Sequence, residues 1–224
     1  SESLIQNPAC TEQMVKTLTM VKSSGMRLST LVNDILDMAS AREKKMAVKR
    51  DIVVLQEVAE NVCGMIRPLL PKNVTLSNRL SDQPLPHIEG DSGRINQILS
   101  NLLSNAVKFT EQGSIVVQAR MLSKEEVVME VVDTGCGVPR NAWEQVWLPF
   151  KQADMSTTRT YGGTGLGLSL VKEVVQAHGG RVGLSSCISG PKRGTTVFVV
   201  LPVTQSDTDW EKGEQQPLFV RELT

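Results

Sequence analysis

The sequence predicts an α+β fold, a two-layer sandwich in which helices cover one mixed β-sheet, with a long separate helix ahead of it. Apolar side chains at residues 14–39 alternate in steps of four and three, the spacing of a helix in a bundle. After the charged stretch Ala41 to Lys45, β-rich runs alternate with amphipathic helices. We therefore expect three regions: a helical region at 1–44, a globular domain at 45–204 and a polar linker or tail at 205–224.

Composition restricts the partners of the chain. The 224 residues hold 24 basic and 24 acidic side chains, so no net charge draws the protein to nucleic acid or to an anionic membrane. No apolar run reaches the roughly 18 residues that span a bilayer, and the four cysteines show no metal-ligand spacing. We expect a cytoplasmic segment without membrane contact. Since Ser1 opens what reads as the middle of an element, we expect the chain to be a piece of a longer protein, which leaves room for a membrane anchor outside the piece.

The first helix carries an apolar face wider than a two-stranded seam. Thr11 is its expected N-cap, and the Asn7-Pro8 turn makes residues 1–6 the end of a preceding helix in a hairpin. A buried helix within one subunit is the alternative. We favour a bundle between subunits, hence a homodimer, because six residues are too small a partner for this face. The seam consists of Met14, Leu18, Val21, Gly25, Leu28, Val32, Ile35 and Ala39, widened by Leu31, Leu36 and Met38.

The globular region reads as short strands and amphipathic helices in turn. Asp91 is the expected N-cap of the longest of these helices, which runs to about Phe109. The predicted strands are 47–54, 74–80, 114–121, 127–132, 181–186 and 195–201. The predicted helices are 55–65, 91–109, 143–146 and 168–177.

Two asparagines and a lysine share one face of the longest helix. Asn101, Asn105 and Lys108 are separated by four and three residues, and the opposite face is apolar. Carboxamide oxygens suit a hard cation such as Mg²⁺, which proteins commonly share with nucleotide phosphates, and a lysine suits a phosphate. A polar face turned to solvent explains the same pattern, so this stripe alone does not identify a site.

A short segment after a β-rich run combines an acid with glycines. Asp133 ends the run, and Gly135 and Gly137 permit backbone conformations and close approaches that other residues forbid. An aspartate fixed at a strand end suits an exocyclic amino group such as that of adenine. A plain Asx-type turn is the other interpretation.

The glycine-rich segment Gly162–Gly167 runs directly into an apolar helix. Backbone N–H groups at a helix start, freed of side chains, form an anion cradle. The loop follows a polar stretch, Lys151 to Tyr161, and no strand precedes it as a dinucleotide fingerprint requires. It also lacks the Gly-Lys-Ser/Thr ending of a Walker loop. We therefore predict a phosphate loop of a third kind, preceded by a mobile lid.

Together these motifs resemble the GHKL ATPases, and within them the sensor histidine kinases of two-component signalling. Five segments stand in the family's order: an N box, a first glycine box, an F box, a second glycine box and a closing glycine-threonine motif. They are, in that order, 101–110, 133–137, 147–150, 162–167 and 194–196. The resemblance covers about residues 10–203 and implies the Bergerat ATP-binding fold, with ATP and Mg²⁺ as ligands.

The resemblance also implies roles for individual residues. Asn105 would ligate Mg²⁺, Asn101 would line the same side of the pocket and Lys108 would contact phosphate, so these three are the expected catalytic residues. Asp133 would bind the adenine amino group. Arg159 and Tyr161, in the lid, would reach the phosphates and the nucleoside. The remaining expected nucleotide-binding residues are Gly135, Gly137, Phe150, Gly163, Thr164, Gly165, Leu166, Gly167 and Thr195.

Position 101 and the histidines bear on the reaction. Hydrolytic members of the superfamily carry a glutamate where Asn101 stands, and an amide cannot act as a general base. The resemblance therefore implies phosphoryl transfer to a histidine and then to a response-regulator receiver domain. His87 lies in a proline-flanked loop and His178 at a helix end before two glycines, so we expect the acceptor upstream of Ser1. A nucleotide-binding pseudokinase and a conformational ATPase are the alternatives.

Overall fold

A computed structural model describes residues 12–42, 48–82, 85–151, 164–203 and 218–219. Several sequence predictions fall outside these ranges: the preceding helix at 1–6, the Thr11 cap, most of the lid with Arg159 and Tyr161, the loop residue Gly163, and most of the tail. The division into regions at 44 and 204 stays a prediction.

The long helix predicted near the start is present as α1, Glu12–Arg42. Its apolar seam is largely open: Val21 is 60% exposed, Leu28 63% and Ile35 49%. α1 contacts a helix of the globular domain, Gly167–Ala177, which we call α4. Val15, Leu18 and Lys22 are the half-buried side chains of its first turns. Within the described chain, α1 therefore leaves much of its apolar surface uncovered.

The globular domain is built on a mixed six-stranded sheet with the strand order β2-β4-β5-β7-β6-β8. The outer pairs β2/β4 and β6/β8 are parallel, and the pairs between them are antiparallel. A separate two-stranded antiparallel sheet joins β1, Asp51–Val53, to β3, Ile88–Gly90. The larger sheet consists of β2 Val74–Asn78, β4 Gly113–Met121, β5 Glu126–Asp133, β6 Arg181–Cys187, β7 Gly194–Pro202 and β8 Leu218–Phe219.

Helices α2, Leu55–Ile66, α3, Ser92–Phe109, and α4 pack against one face of this sheet. α3 buries residues at spacings of three and four, among them Ile95, Ile98, Leu99, Leu102 and Leu103, none more than 2% exposed. Alternate residues of the central strands meet them, as in Val127, Met129 and Val131 of β5. The predicted α+β sandwich with a mixed sheet is thus confirmed. Among the helices described, none is long and apolar enough to cross a membrane.

Three local predictions need correction, and two strands were missed. The predicted helix 143–146 is instead a pair of 3₁₀ turns, Arg140–Ala142 and Gln145–Trp147. Pro139 and Pro149 confine this run to the residues 140–148, and so short an α-helix is only marginally stable by itself. The strand predicted at 47–54 is limited to β1, and the one at 74–80 ends at Asn78 because the Leu80 N–H turns to bond Asn78 Oδ1 at 3.1 Å. Strands β3 and β8 were not predicted.

Candidate functional site

The start of α4 lies beside the polar stripe of α3. A Cβ atom built on Gly167 would be 3.7 Å from Asn101 Oδ1 and 3.8 Å from Asn105 Nδ2. Both asparagines are half-buried. The predicted carboxamides and the backbone that follows the glycine-rich loop therefore face each other, on two elements that are far apart in sequence.

The opposite end of the α3–α4 pair is held by His178, which is 1% exposed. Its Nε2 accepts a hydrogen bond from the Asp91 N–H at 3.1 Å, and its Nδ1 lies 2.8 Å from the Val174 carbonyl. Since the carbonyl only accepts, the proton of the neutral ring sits on Nδ1. Burial is the main cause that lowers the pKa of His178. His178 thus bonds a carbonyl of its own helix, and the bond to Asp91 connects the end of α4 to the start of α3.

Lys108, the third predicted residue of the stripe, packs on its neighbour. Its Nζ lies 4.7 Å from the centroid of the Phe109 ring, within the range of a cation–π contact. Partial burial lowers the pKa of Lys108. The lysine is thus placed over an aromatic ring at the end of α3.

Asp133 is the last residue of β5, and one of its two carboxylate oxygens accepts backbone hydrogen bonds. Oδ1 accepts hydrogen bonds from the Gly135 N–H at 2.8 Å and the Thr195 N–H at 3.2 Å. In the described part of the chain, no hydrogen bond to Oδ2 is found. Burial is the first cause that raises the pKa of this carboxyl, and the two backbone hydrogen bonds oppose it. One oxygen therefore orders the loop, and the other is left as an acceptor.

The first glycine loop closes against the end of α3. The Cys136 N–H donates to the Phe109 carbonyl at 3.2 Å, and a Cβ on Gly135 would lie 2.4 Å from that carbonyl oxygen. Gly137 has φ +78°, and a Cβ there would lie 2.3 Å from the Cys187 carbonyl oxygen. Any side chain at either position would force the backbone apart. Both predicted glycines are thus required by close backbone approach.

The second glycine loop is described from Thr164 onwards. Thr164 Oγ1 accepts from the Leu166 N–H at 3.2 Å, and Leu166 is fully buried. The Phe150 N–H donates to the Gly165 carbonyl at 2.9 Å, which joins the predicted F box to the loop. Phe150 has φ +61°, a conformation that costs a non-glycine residue about 1–3 kcal/mol, and its ring is 67% exposed. Among the described residues, a backbone hydrogen bond connects this phenylalanine to the loop.

Sequence reasoning did not single out Ser186 as a site residue. Its Oγ lies 2.7 Å from the Val138 N–H nitrogen, 2.7 Å from the Gly194 carbonyl and 3.0 Å from Thr195 Oγ1. It therefore connects the first glycine loop to the glycine-threonine motif. The signal that could have found it is the hairpin register of β6 and β7, in which Ser186 is the partner of Thr195.

A helix start that faces two carboxamides, with a half-buried aspartate ahead of the first glycine loop, is the arrangement expected of a nucleotide-binding domain of the ATP-binding class. Residues 90–205 match the family model described as histidine kinase-, DNA gyrase B- and HSP90-like ATPase. The chain belongs to this family, and its domain is a GHKL catalytic domain of the sensor histidine kinase type.

Individual proteins that are similar to the chain support this family assignment. The chain is 37% identical over 84% of its length to the non-motile and phage-resistance protein of Caulobacter vibrioides, and covers 22% of that protein. It is 36% identical over 83% of its length to the autoinducer 2 sensor kinase/phosphatase LuxQ of Vibrio cholerae, again covering 22%. The crystal structure of full-length ShkA in complex with AMPPNP superposes with a TM-score of 0.75 at 29% identity. That match covers 92% of this chain and 42% of ShkA. The chain thus spans under a quarter of these two curated relatives.

Proposed function

We propose that the chain is the ATP-binding catalytic part of a sensor histidine kinase. It would pass the γ-phosphoryl group of ATP to a histidine located upstream of residue 1, for relay to an aspartate of a response-regulator receiver domain in the cytoplasm. The observation that carries the proposal is the meeting of Asn101 and Asn105 with the start of α4. The sensor kinase among the named relatives supports the choice of reaction.

Asn101 favours transfer to a protein over hydrolysis. A water molecule becomes a strong nucleophile when a neighbouring base removes its proton, and a carboxamide has no such capacity near neutral pH. Both side chains that face Gly167 are carboxamides. These two asparagines can therefore hold a phosphate group and its cation without activating water.

The residues of the site would divide the nucleotide between them. Asn105, with Asn101 beside it, offers neutral oxygen ligands of the kind that Mg²⁺ prefers, and the donor set fits that cation. When bound, Mg²⁺ with the nucleotide neutralises charge on the phosphates. The amides at the start of α4 would bind phosphate, and Asp133 Oδ2 would accept from the adenine amino group. The contribution of the protein is positioning and charge compensation.

The two histidines of the chain are poor acceptors. His178 uses both ring nitrogens, one toward Asp91 and one toward Val174. His87 lies just before β3, near Asp91 at the start of α3. Ten residues of chain separate Asp91 from Asn101. At 1.5 Å per residue that distance is about 15 Å along the helix. A third histidine, brought in by another helix, fits the transfer better.

The exposed seam of α1 supports a dimer. Leu28 at 63% and Ile35 at 49% exposure lie on one stripe of a helix of 31 residues. Stripes of this kind are normally buried against other helices. We propose that α1 pairs with the preceding helix and with the same hairpin of a second subunit.

Labelled ATP tests the proposal. Residues 1–224 should bind Mg-ATP in calorimetry but gain no phosphate, whereas the chain extended upstream through the preceding helix should gain acid-labile, base-stable phosphate. The Asn105→Ala form of the longer chain serves as the control and should stay unlabelled. Acid-labile phosphate on residues 1–224 themselves would refute the placement of the acceptor. Binding without labelling of the longer chain would indicate a pseudokinase, and rapid release of inorganic phosphate an ATPase.

A further inference from the structure

Ser186 of β6 hydrogen-bonds two segments of the pocket at once. Its half-buried hydroxyl lies within hydrogen-bond distance of Val138, just after the first glycine loop, and of Gly194 and Thr195, at the start of β7. Each of these partners lies next to a predicted binding residue or is one. The serine is therefore placed to control the hydrogen bonding of both segments.

The direction of these hydrogen bonds follows from counting protons. A serine hydroxyl has one proton and two lone pairs. The Val138 N–H can only donate, at 2.7 Å, and the Gly194 carbonyl can only accept, at 2.7 Å. Ser186 therefore gives its proton to Gly194. In the 3.0 Å contact between the hydroxyl groups, Thr195 must be the donor. Its oxygen then offers only lone pairs to any further partner.

This orientation leaves acceptors on two adjoining residues, Asp133 and Thr195. The Thr195 N–H bonds Asp133 Oδ1 at 3.2 Å, so the threonine adjoins the carboxylate. An ionised carboxylate only accepts hydrogen bonds, and so does a threonine oxygen whose proton is taken. A purely accepting surface suits an amino group, which only donates. It opposes a carbonyl oxygen, which only accepts.

We propose that Ser186 is a positioning residue that sets base selectivity: by fixing the Thr195 hydroxyl as an acceptor, it makes the pocket take adenine and reject 6-oxopurine nucleotides. The inference rests on the ATP binding of the proposed function and adds how the base is chosen. Without the serine hydroxyl, the Thr195 hydroxyl rotates freely and donates to the 6-oxo group of inosine. Selectivity then falls while the pocket stays intact.

Affinities for Mg-ATP and Mg-ITP, measured by calorimetry on the full chain, test this inference. The wild type should prefer ATP, and Ser186→Ala should reduce the ATP/ITP affinity ratio about tenfold, the effect of one neutral hydrogen bond. The matched control is Ser185→Ala, one position along β6 with its side chain on the other face of the sheet, and it should keep the wild-type ratio. Ser186→Thr, which restores a hydroxyl, should recover the preference.

Thr195→Val shows whether the effect passes through the threonine. Valine keeps the backbone N–H that bonds Asp133 and removes the hydroxyl. This single substitution should therefore lower the ATP/ITP affinity ratio. Adding Ser186→Ala to it should then change nothing further. An equal loss of both nucleotides in Ser186→Ala, with the ratio unchanged, would overturn the inference while ATP binding stands. Should Ser186→Ala fail to fold by circular dichroism, a wild-type ratio in Thr195→Val overturns it instead. A wild type that binds neither nucleotide contradicts the proposed function as well.

Discussion

Replacing Asp133 by asparagine should weaken ATP binding while it stabilises the free protein. In the wild type, burial raises the pKa of the Asp133 carboxyl, so the ionised form is disfavoured in the folded state. Asparagine is neutral, has nearly the same shape, and can still accept through Oδ1 from Gly135 and Thr195. The substitution therefore removes a half-buried charge without removing the two hydrogen bonds that order the loop.

The binding loss can be worked out from the other oxygen. Asp133 Oδ2 accepts no hydrogen bond from the described residues, and asparagine replaces one acceptor oxygen by an NH₂ donor. A hydrogen bond to a charged group contributes about 1.5–3 kcal/mol, which corresponds to an affinity loss of about tenfold to 150-fold. We expect Asp133→Asn to fall in that range for Mg-ATP.

The stability gain should depend on pH with a definite sign. A carboxyl whose pKa is raised by folding contributes stability that is complete below its unfolded pKa and is lost as pH rises through its folded pKa. At neutral pH the wild type thus lacks the stability that the protonated Asp133 carboxyl contributes, and it recovers that stability on acidification. Asp133→Asn should unfold at a higher urea concentration than the wild type at pH 7, and the difference should shrink toward pH 4.

Calorimetry for binding and urea unfolding at several pH values are the assays, and the control is Asp82→Asn. Asp82 is exposed and carries the same change in charge, so neither its ATP affinity nor its stability should differ from the wild type. Unchanged ATP affinity in Asp133→Asn would remove this residue from the base site. A variant less stable than the wild type at pH 7 would show that burial of the charge is not the main effect of this carboxyl on stability.

Three further outcomes follow from the geometry. Asn105→Ala should weaken Mg-dependent ATP binding at least about tenfold by calorimetry, since the proposed cation ligand is lost, whereas Ser104→Ala on the exposed side of the same helix should not. Gly135→Ala should lower the free energy of unfolding by about 1–3 kcal/mol in urea titrations, because its Cβ would lie 2.4 Å from the Phe109 carbonyl oxygen; an unchanged midpoint contradicts that close approach. The folded-state pKa of His178 is lowered, so its contribution is present above the unfolded pKa and is lost as pH falls through the folded one. Thermal melts from pH 7 to 5 should show this loss in the wild type and a smaller loss in His178→Gln, and equal slopes would contradict it.

The parts of the site that sequence alone predicted are those with local causes. Asn101 and Asn105 share a face because a helix repeats every 3.6 residues, and that holds wherever the helix packs. Asp91 caps α3 through its own Oδ1, which accepts from the Arg94 N–H at 3.1 Å, again within one turn. Local rules of this kind need no knowledge of the rest of the fold.

Other features depend on contacts that only the folded chain creates. The partner of Asp133 is Thr195, 62 residues away, and that of Asp91 is His178, 87 residues away. The short strands β3 and β8 have three and two residues, too few for an alternating pattern to be seen in the sequence. The family resemblance identified Thr195 as a site residue, which periodicity could not do. Ser186 could be identified only from the hairpin register of the folded sheet.

The arrangement of α3 and α4 explains why the hydrogen bond between Asp91 and His178, far from the proposed nucleotide position, matters for the site. α4 has 11 residues, so about 16 Å of helix separates Gly167, next to the asparagines, from His178 at the other end. A short helix fixed at only one end can tilt, and even a small tilt at His178 becomes a displacement at Gly167. The bond from Asp91 to His178 removes that freedom by tying the last turn of α4 to the first turn of α3. The carboxamides and the backbone at the start of α4 are thus held in register by packing along the whole helix pair.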